Sequence, residues 1–281
     1  MPPTDDERRA YWTRSFDDAY RFMFEDILPY PVAECGEGLV PLREAASAAG
    51  VQVLFSGAEH VNGLPRLFYL REGQIPGFLG AAREMNERGW ILRVEDAFRT
   101  AEMQKYLGRT PKVFDAVLRS VIWELDGRMP DPEFMFRRCS GLVATVPKFG
   151  THMSGSAIDI SVRHLHDPQR EVDRGAPYLE MSERTPMDSP FVPAEARRNR
   201  QEISALMQRH GFVGYPWEFW HYSSGDAYEQ VLCKTGRPAI YGAVSFDPQT
   251  LQVTPLAQPE QPLNSFEEIR AEIDAALARR G

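Results

Sequence analysis

Two histidines in this chain sit in company that suits metal chemistry. His152 lies in Gly150-Thr-His-Met-Ser-Gly-Ser-Ala-Ile-Asp159, a run of small residues, and His221 closes Trp217-Glu-Phe-Trp-His221. A catalytic Zn²⁺ commonly takes three nitrogen or oxygen ligands and leaves a fourth position to water. His152, Asp159 and His221 meet that requirement, with one zinc ion per chain as the implied cofactor, and leave a net positive, Lewis-acidic site. Peptide hydrolysis needs more than a metal. Water must lose a proton to a base, and the leaving amine must receive one, and one carboxylate beside the zinc can do both. Glu218 is the candidate base. The oxyanion of the tetrahedral intermediate calls for a fixed cation, and Arg99, in Val94-Glu-Asp-Ala-Phe-Arg99, is the candidate. The plainer reading of Arg99 is a structural arginine paired with Glu95 or Asp96. The other histidines, His60, His164, His166 and His210, read as structural or surface residues.

These side chains need elements to hold them. Residues 157–162 alternate Ile158, Ile160 and Val162 against Ala157, Asp159 and Ser161, which puts Asp159 on the face away from the apolar residues. Residues 90–94 read as a strand, with Arg99 just beyond it. In a regular strand, positions 218 and 221 point to opposite faces. Both can address one ion only if the backbone bulges, turns or coils at Phe219-Trp220, and Pro216 favours an irregular start. Helical spacing predicts helices over 16–28, 78–88, 101–107, 112–126, 193–210 and 266–277, and residues 51–55 read as a further strand. Residues 247–262 are polar and rich in Pro and Gln. The fold class expected is α+β: a small, mostly antiparallel sheet carrying the zinc site, with helices packed on its other side. The chain reads as one peptidase domain over 1–281, its core at about 51–225. An N-terminal helical extension, 1–50, and a C-terminal extension, 226–281, are placed to wall the cleft and restrict it to short peptides.

With 43% hydrophobic residues the chain can bury a sizeable core. A net charge of −8, with Lys and Arg scattered among Asp and Glu, leaves no basic stripe for phosphates, so nucleic acid is excluded as a partner. Cys35, Cys139 and Cys233 are far apart and form no CxxC pair, so neither a disulfide framework nor a thiolate zinc site is expected. No apolar run approaches the ~20 residues that span a bilayer, so no membrane partner is expected. Acidic residues precede the first apolar cluster and no continuous apolar run follows, so a cytoplasmic location is expected.

The stretch 150–159 resembles the SxHxxGxAxD motif of the zinc D-alanyl-D-alanine peptidases. Glu218-Phe-Trp-His221 resembles their ExWH element, as found in the vancomycin-resistance D-alanyl-D-alanine dipeptidases. Arg99 falls where those dipeptidases have the arginine of a D-G-Y-R-P segment, here Asp96-Ala-Phe-Arg-Thr100. By resemblance His152, Asp159 and His221 are zinc ligands, Glu218 is the base and Arg99 stabilises the transition state. Two departures stand out. Gly150 replaces the usual Ser, with the hydroxyl of Thr151 beside it. Where the dipeptidases hold the substrate ammonium with an acidic residue, this chain has Leu179, with Glu180 one position away. The implied reaction is zinc-dependent hydrolysis of a small peptide substrate, a D-alanyl-D-alanine-type dipeptide. The alternatives are a D,D-carboxypeptidase acting on peptidoglycan peptides of the cell wall and a non-catalytic zinc-containing binding module.

Overall fold

The computed structural model describes residues 3–279. Helix α1 (Asp5–Arg21) starts at a capping box between Thr4 and Glu7 and continues as a π-helical turn, Phe22–Ile27, before Pro29 and Pro31. Strand β1 (Leu39–Pro41) leads into α2 (Leu42–Ala48) and β2 (Val53–Phe55); β3 (Tyr69–Arg71) then pairs antiparallel with β1. Helix α3 (Ile75–Glu87) ends at Gly89, whose φ of +77° suits glycine, and strand β4 (Trp90–Asp96) follows at once. Three helices come next: α4 (Ala101–Leu107), capped by Thr100; α5 (Pro111–Glu124); and α6 (Pro132–Ser140), capped by Asp131. Strands β5 (Ala157–His164) and β6 (Asp167–Glu171) are separated by a long loop from α7 (Ala194–Arg209). Beyond α7 come β7 (Val213–Gly214), β8 (His221–Ser223) and α8 (Ala227–Leu232). A hairpin of β9 (Val244–Asp247) and β10 (Gln252–Pro255) precedes α9 (Phe266–Ala278).

The central sheet has the order β2-β4-β5-β8-β7, with β6 paired to β5. The α+β class is as expected, with helices packed against a central sheet. The sheet is mixed: β2 and β4 run parallel, and the other pairs run antiparallel. The parallel pair follows from connectivity, because the chain leaves β2, passes through α3 and returns in the same direction.

Alternation along β4 and β5 divides the two faces. Leu92, Val94, Ile158, Ile160 and Val162 share a core with Phe78 and Met85 of α3 and with Ile203 and Leu206 of α7. On the opposite face Ser161 donates to Glu95 at 2.6 Å, and Asp159 faces two histidines. A second core joins Trp12 and Phe16 of α1, Val113 and Val117 of α5, Met135 of α6 and Ile273 of α9 to Phe219 and Trp220. Helices therefore stand on the site's side as well as behind the sheet. The sequence pattern had placed them behind it only, because periodicity reports that a helix has an apolar face and not which layer receives it.

Candidate metal centre

Asp159 sits near the start of β5, in register with His221 on β8 and Asp96 on β4. His152 arrives from the preceding loop, which is tightly wound: the amides of Met153 and Gly155 donate to the carbonyls of Gly150 and His152. Gly155 has φ of +68°, and a Cβ there would lie 2.4 Å from Leu39, so the loop can close only on glycine. The His152 carbonyl also accepts from the Arg99 amide at 3.2 Å, tying the loop to the segment after β4.

His221 and Glu218 are brought together by a turn at the place strand geometry demanded. The Glu218 amide donates to Tyr215 and the His221 amide donates to Glu218, each at 3.2 Å, so Phe219-Trp220 form the corner. Both side chains then face one side, with Glu218 Oε2 3.9 Å from His221 Nδ1.

His152, Asp159 and His221 are buried and each offers a ligand atom within 4.8 Å of the others. Asp159 Oδ1 lies 3.1 Å from His152 Nε2 and 3.0 Å from His221 Nδ1. Donors about 2.1 Å from a tetrahedral ion stand roughly 3.4 Å apart, so the cluster is consistent with a single zinc site. The outer nitrogens are also engaged. His152 Nδ1 donates to the Ala97 carbonyl at 2.5 Å, and His221 Nε2 lies 2.8 Å from Thr151 Oγ1. Such contacts fix which nitrogen faces inward. The hydroxyl that Gly150 lacks is supplied by Thr151.

Two carboxyl groups in this cleft are driven apart. Burial opposes the charge of Asp159, but the charges and hydrogen bonds of His152 and His221 hold it well below the usual carboxylate range. Burial, and then the nearby Asp159 charge, push Glu218 well above it. Burial and Arg99 also lower His152, keeping it neutral. One acid is thereby held as the anion while the other has its affinity for a proton raised.

Arg99 lies in the cleft with all its nitrogens in use: Nε donates to Asp96 (2.8 Å), Nη1 to Gln104 (3.2 Å) and Nη2 to Asp159 (3.0 Å). Pairing with Asp96 is thus present together with a place in the site. Asp96, the first residue of the arginine segment, also binds His60 and Arg66, while two contacts have no signal in the motifs: Gln104, whose amide also donates to Ala144, and Tyr178, which donates to Asp159 Oδ2 at 2.9 Å. Their partners are distant in sequence, and only the Gln104 helix was legible. Of the remaining histidines, His60 and His210 are held by Asp96 and Glu84, as structural roles require. Leu179 lines the cleft at φ of +66°, while the Glu180 carboxylate turns to Ser182 and Arg184.

The cleft walls come from most of the chain, including Met23 after α1, Leu107 of α4, Val113 of α5, Leu142 and Val143 after α6, and Tyr228 of α8. Cys35, Cys139 and Cys233 are all free thiols, as expected. Among the described residues no helix is long and apolar enough to cross a membrane.

A family profile described as D-ala-D-ala dipeptidase, peptidase M15, matches residues 123–235. That stretch holds His152, Asp159, Glu218 and His221 and leaves Arg99 outside it. A D-alanyl-D-alanine dipeptidase of Escherichia coli (strain K12) is 35% identical over 109 residues, which are 39% of this chain and 50% of that one. The chain thus spans about half the length of this relative. A D-alanyl-D-alanine dipeptidase of Synechocystis is 26% identical over 228 residues, 71% of this chain and 86% of its own. Among solved structures, the zinc-bound vancomycin-resistance D,D-pentapeptidase VanY aligns with a TM-score of 0.34 and 14% identity, over 76% of this chain and 96% of that one. The relatives correct one expectation. The likeness to these D-alanyl-D-alanine dipeptidases argues against the cytoplasmic location read from the N-terminal residues. A short terminal stretch reports only on a leader of one kind, and that is a weaker guide than the chemistry of the relatives.

Proposed function

We propose that this chain is a member of the D-Ala-D-Ala dipeptidase family of zinc peptidases and hydrolyses a short peptide of D-alanyl-D-alanine type at a single zinc ion held by His152, Asp159 and His221. One observation carries the reading: the three ligand atoms and the Glu218 carboxylate converge in one buried cleft. Zinc, when bound, supplies a Lewis acid that polarises the scissile carbonyl and makes water more acidic. Glu218 takes the proton from that water and passes it to the leaving amine, for which its raised proton affinity suits it. Arg99 stands as a fixed cation beside the reacting carbonyl; Asp96, Gln104 and Asp159 hold it in place, so no reorganisation is needed as charge develops. Residues 1–50 and 226–281 act as walls of the same domain, through Met23 and Tyr228, and limit the substrate to short peptides.

The test is metal analysis joined to a screen of D- and L-dipeptides against N-acylated tripeptides. Zinc at one equivalent with a preference for free D,D-dipeptide is the expected result, and preference for the acylated tripeptide would indicate a D,D-carboxypeptidase. Glu218→Ala is expected to keep zinc and lose turnover by at least two orders of magnitude. Undiminished turnover would defeat the mechanism.

A further inference from the structure

Asp159 divides its two oxygens between different tasks. Oδ1 faces the ligand nitrogens of His152 and His221, whereas Oδ2 accepts from Arg99 Nη2 at 3.0 Å and from the Tyr178 hydroxyl at 2.9 Å. A carboxylate free to rotate could offer either oxygen, or both, to a metal. Here the second oxygen is already taken by two donors. Arg99 has other work in the cleft and is shared with Asp96 and Gln104. Among these contacts the Tyr178 hydroxyl bonds to Asp159 alone.

The local structure aims that hydroxyl. The Glu180 amide donates to the Pro177 carbonyl, closing a four-residue turn with Leu179 at φ of +66°. Leucine rarely adopts that conformation and holds it only where the surroundings compel it. The Tyr178 ring meets Trp220 edge to face, with centroids 5.6 Å apart and planes at 86°. Trp220 is itself the corner residue between Glu218 and His221. The turn and the indole therefore fix the phenol with respect to the segment that carries the base and the third ligand.

We infer that Tyr178 is a positioning residue for the metal ligand Asp159, locking its carboxylate so that a single oxygen is presented to zinc. The inference rests on the metal reading given above. Partners of this kind orient ligands, and their loss typically costs 10–100-fold in metal affinity.

Tyr178→Phe keeps the ring against Trp220 and deletes only the hydroxyl. Zinc affinity of the wild-type and Y178F proteins is measured by competition with a chromophoric chelator, with urea unfolding of both metal-free proteins as the control for folding. The expected result is binding weaker by about 10–100-fold, with metal-free unfolding midpoints that coincide. The Co²⁺-loaded variant is expected to lose visible absorption as the second oxygen, held then by Arg99 without the phenol, turns toward the ion and raises the coordination number. Equal zinc affinity and equal Co²⁺ spectra would overturn the inference while leaving the metal centre in place. A wild-type protein that takes up no zinc would overturn the metal reading, and this inference with it.

Discussion

At the scale of single residues, the site follows from neighbours in sequence and its support from neighbours in space. His152 and Asp159 lie in one loop-to-strand segment and Glu218 and His221 in one turn, so residue type and spacing point to all four, and three of them, His152, Asp159 and His221, cluster in space. Asp96 shows what spacing cannot reveal. Its carboxylate receives Arg99 from just beyond β4 and Arg66 and His60 from the connection between β2 and β3, with Arg66 Nη1 at 3.1 Å and His60 Nε2 at 3.2 Å. Burial alone would raise its proton affinity, yet Arg99, His60 and Arg66 hold it below the usual carboxylate range. Asp96→Asn keeps the shape and removes the charge, leaving two guanidinium groups short of a counter-ion. The expected loss is about 3–5 kcal/mol of stability, read from urea unfolding, because a buried ion pair broken on one side leaves an uncompensated charge. A loss below about 1 kcal/mol, the range of exposed pairs, would show that Asp96 is no hub.

At the scale of elements, legibility tracks length and periodicity. The spacing predicts 101–107 and 193–210, and the helices run Ala101–Leu107 and Ala194–Arg209. Strand β5 was visible because its alternation is strict. Helix α2 falls within the N-terminal region read as helical, whereas α6 opens at a proline that reads as a loop although Asp131 caps it, and α8 has only six residues. The β9–β10 hairpin turns only Val244, Phe246 and Val253 toward Leu39 and Phe98, and strands of four residues are too short for that alternation to stand out. The joint between α3 and α7 carries its own prediction. Glu84 on α3 accepts from Arg209 of α7 and from His210 just past it, and these bonds bring its pKa down from 4.5 to about 2. A folded-state value below the unfolded one means that the stabilisation is complete above pH ~4.5 and vanishes as pH falls through ~2. Glu84→Gln is therefore expected to be less stable than the wild type at neutral pH, with the two unfolding curves converging across that window. A gap unchanged by acid would locate the effect in packing.

At the scale of the whole molecule, the metal centre occupies the junction of the two cores. Behind it, Ile158 and Ile160 flank Asp159 and reach α3 and α7, and in front, Phe219 and Trp220 beside His221 reach α1, α5 and α9. Ligands spread over the His152 loop, β5 and β8 bind an ion well only when both layers are assembled, so zinc uptake is linked to folding. At a free concentration 100 times Kd, zinc is expected to add about 2.7 kcal/mol to the unfolding free energy. His152→Ala combined with His221→Ala is expected to remove that increment. Ile273→Ala, on α9 and remote from the ligands, separates packing from ligation. It is expected to lower stability by about 2–5 kcal/mol and to leave the zinc increment intact, since α9 reaches the site only through other side chains. Urea titrations of the three proteins with and without zinc measure all these quantities together. A zinc increment that survives loss of both histidines would place the ion elsewhere, and one that vanishes in Ile273→Ala would mean that the front wall takes part in forming the ligand geometry.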